Sequence, residues 1–258
     1  SVVSNVLTTG ALTIPAMRKA GLPPPVAGGV EACASTGAVL MPPIMGATAF
    51  VMASFLSVPY STVVIAAVLP SLLYFGGLFL QIDAYAARHG IVGLPAGDLP
   101  RPGAVLRRGW HYLVVLAVLI GLIATLDNQG MAPFYATGLL LVWDQIVGRR
   151  LIGLRGWIRF LEDVGKLLAE IVGVLAGIGI VVGALSMTGS AAAITGEIAY
   201  HAGDSLMLLL VLAAFASFLL GFGLPATAAY IFLAIVLAPA MVKLGVQPIA
   251  AHMFLFYW

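Results

Sequence analysis

The chain has 258 residues, of which 62% are hydrophobic and 9% are charged, and its mean hydropathy is +1.10. This is more apolar than a soluble domain can bury in one core, so the composition excludes an ordinary soluble protein and predicts a membrane protein. The net charge of +2 is too small to indicate a nucleic-acid partner. The single cysteine, Cys33, cannot form a disulfide within the chain.

Both ends of the chain lie in or next to apolar sequence. It begins Ser-Val-Val-Ser without an initiator methionine and ends Phe-Leu-Phe-Tyr-Trp at 254–258. We therefore expect the sequence to be a fragment of a longer protein.

Five apolar segments are predicted to cross the membrane, because a crossing helix needs about 20 apolar residues. They are residues 26–56, 61–82, 110–126, 132–147 and 164–187. An apolar helical arm at 2–17 precedes them. Residues 205–243 follow them, are too long for one helix and are interrupted by Gly-Phe-Gly-Leu-Pro at 221–225. Because Gly and Pro break the helical hydrogen-bond ladder, this last segment is predicted to be a re-entrant helical hairpin.

Two connections between these segments have a distinctive composition. Residues 83–109 are rich in Gly and Pro, which predicts an irregular cytoplasmic linker. Residues 149–160 mix four arginines with Trp157 and Phe160, the composition of a helix on the inner membrane surface. An ordinary loop is the alternative for this second connection.

All basic residues except Lys243 fall on one side of the predicted topology, which the positive-inside rule assigns to the cytoplasm. They are Arg18, Lys19, Arg88, Arg101, Arg107, Arg108, Arg149, Arg150, Arg155, Arg159 and Lys166. The connections at 57–60, 127–131 and 188–204 contain no Lys or Arg and are expected to face outward.

A short text occurs twice in the chain. Residues 15–24, PAMRKAGLPP, return as residues 239–248, PAMVKLGVQP, and Ala27 is matched by Ala251 at the same offset of 224 residues. Internal repeats of this kind are typical of transporters whose halves meet around a site near the middle of the bilayer. Five predicted crossings separate Lys19 from Lys243. Because that number is odd, the two copies are expected to have opposite orientations.

Three interruptions of apolar helices are predicted to form a binding site. They lie at 1–5, at 35–43 and at 221–227, and the offset pairs Ser1 with Pro225 and Val3 with Thr227. Unwound backbone exposes carbonyl oxygens to a cation, while helix N-termini attract anions. Because hard cations prefer oxygen ligands, sodium or another small monovalent cation is the expected occupant. Gly and Pro kinks that serve only helix packing are the competing interpretation.

The acidic residues in the spans are interpreted as structural. Glu31 lies close to Arg18 and Lys19 in the sequence and is expected to neutralise them. Glu170 is expected to pair with Lys166, one helical turn away. No soluble-enzyme signature and no metal-ligand spacing among the histidines is present, so an enzyme is not predicted.

Three texts carry a resemblance to a known family. They are Ser-Asn-Val-Leu-Thr-Thr-Gly at 4–10, Ser-Thr-Gly at 35–37 with Met-Pro-Pro-Ile-Met-Gly at 41–46, and Gly-Phe-Gly-Leu-Pro-Ala-Thr-Ala-Ala-Tyr at 221–230. The chain resembles the large membrane subunit of tripartite ATP-independent periplasmic (TRAP) transporters. It looks most like the fused, TAXI-like permease type with four and twelve transmembrane helices, and the similarity covers essentially the whole chain.

The resemblance implies an all-α polytopic membrane protein with inverted repeats and two re-entrant helical hairpins. Such a fold belongs to an elevator-type transporter like those of the ion transporter superfamily. It implies import of organic acids, such as C4-dicarboxylates, by symport with an ion, usually sodium, and no other cofactor. The implied partners are an extracytoplasmic solute-binding protein and a small membrane subunit, separate or fused upstream. The implied location is the cytoplasmic membrane of a bacterium or archaeon.

Carried over position by position, the resemblance places eleven residues at the ion and substrate site. They are Ser4, Asn5, Ser35, Thr36, Gly37, Pro42, Pro43, Gly221, Gly223, Pro225 and Thr227. The candidate sodium ligands among them are Ser4, Asn5, Gly37, Gly221 and Thr227.

The predicted organisation has four parts. Residues 1–82 form the first half of a transport module, 83–109 a cytoplasmic linker, 110–187 the scaffold helices, and 188–258 the second hairpin with the start of the following helix. Three alternatives stay open. They are a sodium-coupled dicarboxylate carrier that needs no binding protein, an intramembrane enzyme, and a structural subunit that does not transport.

Overall fold

The fold is all-helical in a computed structural model that describes residues 2–95, 97, 99–148, 152–203 and 205–258. Its helices are α1 (Val2–Thr8), α2 (Gly10–Lys19), α3 (Pro24–Gly37), α4 (Ala47–Leu56), α5 (Tyr60–Arg88), α6 (Pro102–Thr125), α7 (Ala132–Gly148), α8 (Leu154–Met187), α9 (Ser190–Ala202), α10 (Leu206–Gly221), α11 (Ala226–Val236), α12 (Ala238–Lys243) and α13 (Pro248–Tyr257). No β-strand occurs within these ranges, so the predicted all-α class is confirmed for them.

The later predicted crossings each coincide with a single helix, α5 to α8. With 29 and 34 residues, α5 and α8 are long and apolar enough to cross a bilayer, while α6 and α7 have 24 and 17 residues. At 1.5 Å per residue α8 is about 51 Å long, which exceeds the roughly 30 Å of the hydrocarbon core. The helix is therefore longer than the hydrocarbon core is thick.

The predicted surface helix at 149–160 is not a separate element. Gly153 caps α8, and residues 154–160 form its first turns. Arg149, Arg150 and Leu151 lie outside the described residues. No Gly or Pro stands between Phe160 and the predicted span to end the helix, so the helix continues. For its described part, the prediction of a separate surface helix is wrong.

The chain divides into two compact units, each described by itself. One comprises the chain up to Gly46 together with Tyr60–Ala136, and the other comprises Ala47–Pro59 together with Thr137–Trp258. In the first unit α3 packs against α1, α2 and α5. In the second unit α11 packs against α4, α8, α9, α10, α12 and α13. Seven of its 11 residues are buried, which makes α11 the central helix of that unit.

The first predicted crossing, 26–56, is two helices rather than one. The helix α3 ends at Gly37 and α4 begins at Ala47, so the predicted interruption is present but longer than its motifs. Pro42 and Pro43 have no N–H to donate, and consecutive prolines cannot continue a helix. An interrupted segment of this kind leaves carbonyl groups without helical partners.

Hydroxyl groups of α5 donate to carbonyl oxygens near the end of α3 and in the interruption that follows it. The three hydrogen bonds run from Tyr74 to Cys33 at 2.9 Å, from Ser71 to Leu40 at 2.7 Å and from Tyr60 to Pro43 at 3.1 Å. Each unsatisfied backbone group in an apolar surrounding would cost several kcal/mol. The side chains of α5 therefore hold the interruption in place.

The segment 205–243 forms α10, a turn at 222–225, α11 and α12. The predicted helix, turn and helix are present, and Pro225 caps α11. With 11 residues, α11 is about 16 Å long, too short to cross a bilayer of about 30 Å. This length suits a re-entrant hairpin, whose place in the membrane stays a prediction.

The duplicated text adopts the same turn in both copies. Gly21 and Gly245 both have positive φ values, of 108° and 91°. The residue after each glycine donates its N–H to the carbonyl five residues earlier, at 3.1 Å in both copies: Leu22 to Met17 and Val246 to Met241. This is the Schellman closure, in which a glycine ends a helix.

The helix after each turn also begins in the same way. Pro24 opens α3 and Pro248 opens α13, each after an extended residue with ψ of 149° and 137°. Ala27 and Ala251 are fully buried. The repeat of sequence is therefore a repeat of local structure, while the opposite orientation of the copies stays a prediction.

Gly37→Ala is expected to destabilise the first unit. The new Cβ would lie less than 3.0 Å from ring atoms of Tyr74 and Phe75, and the Tyr74 ring is held by its hydrogen bond to Cys33. Overpacking costs about 1–3 kcal/mol, so the thermal unfolding midpoint of the protein in detergent should fall. The matched control is Gly29→Ala on the same helix, where the new Cβ has nothing within 4 Å. Equal midpoints for the two variants would contradict this packing.

Candidate ion and substrate site

Two predicted site residues meet in the first unit, but the interruption predicted at 1–5 is wrong for residues 2–5, which are helical and belong to α1. Asn5 of α1 donates from Nδ2 to Oγ of Ser35 in α3 at 2.7 Å, and Ser35 is buried. The other amide atom, Oδ1 of Asn5, accepts a hydrogen bond from Thr9 at 2.9 Å. The side chain of Ser4 lies outside the described part of the chain. Oxygen-bearing side chains thus converge beside the interrupted segment, as a hard cation requires.

Thr36 and Gly37 do not join this cluster through side chains. Thr36 is exposed and donates to the carbonyl of Ala32 in its own helix at 2.9 Å. Gly37 lies against the Tyr74 ring, which its missing side chain allows. The carbonyl of Gly37, a candidate sodium ligand, accepts the N–H of Leu40 at 2.9 Å. Both residues therefore have structural contacts that account for them.

The two prolines of the first interruption are half-buried. The carbonyl of Pro43 accepts the hydroxyl hydrogen of Tyr60. What Pro42 and Pro43 contribute in this structure is the end of the helix itself, because neither can donate to the helical ladder.

In the second unit, Thr227 pairs with a residue that the sequence analysis did not identify. Its Oγ1 lies 2.8 Å from Oγ1 of Thr48 in α4, so one hydroxyl donates to the other. Thr48 is fully buried. The pair stands at the start of α11, where the first N–H groups have no acceptor within the helix. The sequence does contain a signal for Thr48, which is a hydroxyl side chain at the start of the apolar α4, just after the Pro-Pro motif.

Gly221 ends α10, and Gly223 and Pro225 lie in the turn that follows; all three are exposed. A Cβ added at either glycine would have nothing within 4 Å, and neither glycine has a positive φ. Glycine is therefore required here neither by packing nor by backbone conformation. Its effect is to leave the backbone of the turn uncovered by side chains.

Glu31 is the main correction to the sequence analysis. The expectation that it neutralises Arg18 and Lys19 is wrong, because the described part of the chain shows no ion pair with either. Its carboxylate instead accepts hydrogen bonds from Thr9 Oγ1 at 3.1 Å and from Thr13 Oγ1. Thr9 and Thr13 are four residues apart and share one face of α2. That spacing was the signal that could have revealed them.

The predicted pair of Glu170 with Lys166 is also wrong. The Nζ atom of Lys166 lies 3.5 Å from a carboxylate oxygen of Asp163, and both side chains are exposed. Exposed pairs of this kind contribute little stability. Spacings of three and four residues both bring helical side chains together, so the sequence could not distinguish the two acids.

Interrupted apolar helices with oxygen-bearing side chains at the breaks are typical of membrane transporters, and the fold indicates this class. The chain belongs to the family described as "Tripartite ATP-independent periplasmic transporter, DctM component", whose model matches residues 1–258. No curated protein and no solved structure matches the chain. The family predicted from the hairpin texts is confirmed, and it is a family of membrane transporters rather than of enzymes.

Thr48→Val is expected to destabilise the second unit. Valine has nearly the shape of threonine, so the main change is that the hydroxyl of Thr227 loses its partner. This pair is part-buried; an unsatisfied buried polar group costs about 1–3 kcal/mol, whereas replacing both partners with apolar groups is nearly neutral. The unfolding midpoint should therefore fall in Thr48→Val and recover in the double variant with Thr227→Val. Additive losses in the double variant would contradict the pairing.

Proposed function

We propose that this chain is the large permease subunit of an importer that takes up organic acids with an ion gradient. The observation that carries the proposal is the pairing of uncharged polar side chains in a TRAP family member, between α1 and α3 in one unit and between the starts of α4 and α11 in the other. Asn5 meets Ser35 in one unit and Thr48 meets Thr227 in the other. Oxygen donors in apolar surroundings suit a hard monovalent cation, so sodium is the proposed coupling ion.

The proposed substrate is a carboxylate that is bound without a basic side chain. No Lys or Arg occurs in α11 or in the turn that precedes it. The N-terminus of α11 offers unpaired N–H groups and the positive end of the helix dipole, both of which attract anions. A cation bound nearby would neutralise the carboxylate, so cation coupling follows from charge balance.

The proposed mechanism is an elevator movement of one part against another. The duplicated turns at Gly21 and Gly245 support an inverted-repeat architecture, with a hairpin tip from each copy. Cations bind first at the tips, and the substrate carboxylate then completes the site. The loaded module, formed by residues 1–82 and 205 onward, crosses as a rigid body against the scaffold at 110–187.

The proposed partners are an extracytoplasmic binding protein that delivers the acid and a small membrane subunit, separate or fused. The proposed location is the cytoplasmic membrane of a bacterium or archaeon. The words "tripartite" and "periplasmic" in the description of the family support these partners over a carrier that works without a binding protein.

The inverted repeat is tested by labelling Lys19→Cys and Lys243→Cys with a membrane-impermeant maleimide in oriented vesicles. Both lysines are exposed, and the exposed Cys33 is first replaced by serine. Lys19→Cys should react from the cytoplasmic side and Lys243→Cys from the outer side, because an odd number of crossings separates them. Arg101→Cys and Asn128→Cys serve as cytoplasmic and outer references. Labelling of both lysine positions from one side would remove the inverted repeat.

Uptake into proteoliposomes tests the transport function. The full-length permease with its small subunit and its cognate binding protein is given radiolabelled dicarboxylates, with succinate, malate and glutarate as probes. Wild type should accumulate a probe under an inward sodium gradient. Ser35→Ala or Thr227→Ala should slow uptake roughly 10- to 100-fold, since a polar contact to a charged ligand contributes about 1.5–3 kcal/mol.

The control for these variants is Ser54→Ala, whose hydroxyl bonds the carbonyl of Phe50 in its own helix. Its uptake should match wild type. Undiminished uptake in Ser35→Ala and Thr227→Ala would contradict the assigned site. Full uptake without the binding protein would instead identify a carrier that needs no delivery partner.

A further inference from the structure

Glu31 is a carboxyl group buried in an apolar helix. It is the single charged residue of α3 and is 6% exposed. A lone carboxylate in apolar surroundings is energetically costly, and acids at membrane depth commonly mark ion or proton pathways. The contacts of this side chain therefore bear on the coupling ion.

Glu31 is held by hydroxyl donors on one face of α2. Thr9 Oγ1 lies 3.1 Å from Oε1, and Thr13 Oγ1 bonds Oε2. Gly10 lies between the two threonines, and a Cβ there would be 3.2 Å from Cγ of Glu31. The missing side chain of Gly10 thus lets the carboxyl group approach α2 closely.

No basic side chain forms an ion pair with Glu31 in the part of the chain that the structure describes. The helix α1 carries no titratable side chain. The charged and titratable residues on α3 itself and on the other helices packed against it are Cys33, Arg18, Lys19, Tyr60, Tyr74, Asp83, Tyr85 and Arg88. The hydrogen-bond partners of the Glu31 carboxylate in the described residues are therefore two neutral hydroxyl groups.

Both threonines have a second acceptor within reach. Thr9 Oγ1 lies 2.8 Å from the carbonyl oxygen of Asn5, and Thr13 Oγ1 lies 3.0 Å from the carbonyl oxygen of Thr9. Each hydroxyl has one hydrogen to donate. With Glu31 charged, the hydroxyls donate to the carboxylate. With Glu31 protonated, the hydroxyls can donate to these backbone carbonyls, and one of them can accept the carboxyl hydrogen. Both protonation states therefore fit the same positions of the heavy atoms.

The hydroxyl of Thr9 connects Glu31 to the predicted ion site. Thr9 Oγ1 is 2.9 Å from Oδ1 of Asn5. The Nδ2 group of Asn5 in turn donates to Ser35. A change of protonation at Glu31 changes the direction of the hydrogen at Thr9, and this alters the donors available at Asn5. One chain of hydrogen-bonding contacts therefore connects Glu31 to Asn5 and Ser35 of the predicted site.

We propose that Glu31 is a proton-binding residue of the transport cycle, and that binding and release of its proton contributes to the coupling of transport. The inference rests on the proposed function and adds an ion to it. A proton suits the geometry better than a metal cation does. The oxygens stand at hydrogen-bonding separation, whereas a cation between them would hold them farther apart.

The test compares Glu31→Gln with wild type in the full-length permease, since the amide keeps the shape of the carboxylic acid but cannot release a proton. With the probe dicarboxylate that wild type takes up, an imposed inward proton gradient at constant sodium should stimulate accumulation in wild type. That stimulation should be lost in Glu31→Gln while counterflow exchange is retained, because exchange needs no net proton movement. Glu170→Gln, which removes an exposed carboxyl group of α8, is the matched control and should keep the stimulation.

A second readout does not depend on substrate. Infrared difference spectra recorded across a pH titration should show the C=O band of a protonated carboxylic acid in wild type and in Glu170→Gln, with reduced amplitude in Glu31→Gln. An unchanged band in Glu31→Gln, or proton stimulation that survives in it, overturns the proposal. If wild type transports no probe, the proposed function fails, whereas a band that disappears only in Glu31→Gln still supports proton binding at this residue. Stimulation by sodium alone, together with an unchanged band, assigns the coupling to sodium.

Discussion

The structure depends on one constraint, which is that a helix interrupted in apolar surroundings must find partners for its free carbonyl groups. Between Gly37 and Ala47 the chain leaves the helical conformation. The hydroxyl of Ser71 lies 2.7 Å from the carbonyl oxygen of Leu40 and 2.6 Å from that of Ala67 in its own helix, and these two acceptors share its single hydrogen. Water would supply such partners in a soluble loop, but the apolar environment predicted here makes them internal. The helix α5 therefore supplies hydrogen-bond donors to the interruption, and it is also long and apolar enough to cross a membrane.

The polar groups near the interruptions are mostly uncharged and paired with one another. Besides the amide and hydroxyl pairs of the candidate site, Tyr230 and His252 form a buried hydrogen bond of 2.7 Å in the second unit. Neutral pairs cost far less to bury than ions do. Glu31 departs from this pattern, and this is why its protonation has functional interest.

The sequence predicted several features well because they depend on local chemistry. Gly and Pro ended helices near the predicted residues, as α3 and α10 show. The repeat in the sequence corresponded to a repeat of the turns at Gly21 and Gly245, because a glycine with positive φ followed by an extended residue determines its own geometry. The prediction of a separate surface helix was wrong for a reason that is also local. No Gly or Pro between Phe160 and the span ends α8 there.

The hydrogen-bond partners of particular side chains were harder to predict from the sequence. Asn5 and Ser35 were predicted at one site from their motifs, and the structure joins them directly. Sequence distance suggested Arg18 and Lys19 as partners of Glu31, but its contacts are Thr9 and Thr13. The partner of Thr227, in turn, lies 179 residues away along the chain. Proximity along a chain limits which groups can meet, but the rotation of each helix decides which of them do.

From its sequence alone this protein is determined to be an apolar helical transporter of a known family, with breaks at defined residues and a repeated turn. These properties follow from hydrophobic length, from the conformations open to Gly and Pro, and from motifs that are continuous in the chain. Only the tertiary structure decided that α5 stabilises the first interruption, that Thr48 completes the pair at Thr227, and that Glu31 is bound by hydroxyl groups. The physical reason is that hydrogen bonds between helices depend on how the helices pack, and many packings are compatible with an almost uniformly apolar surface.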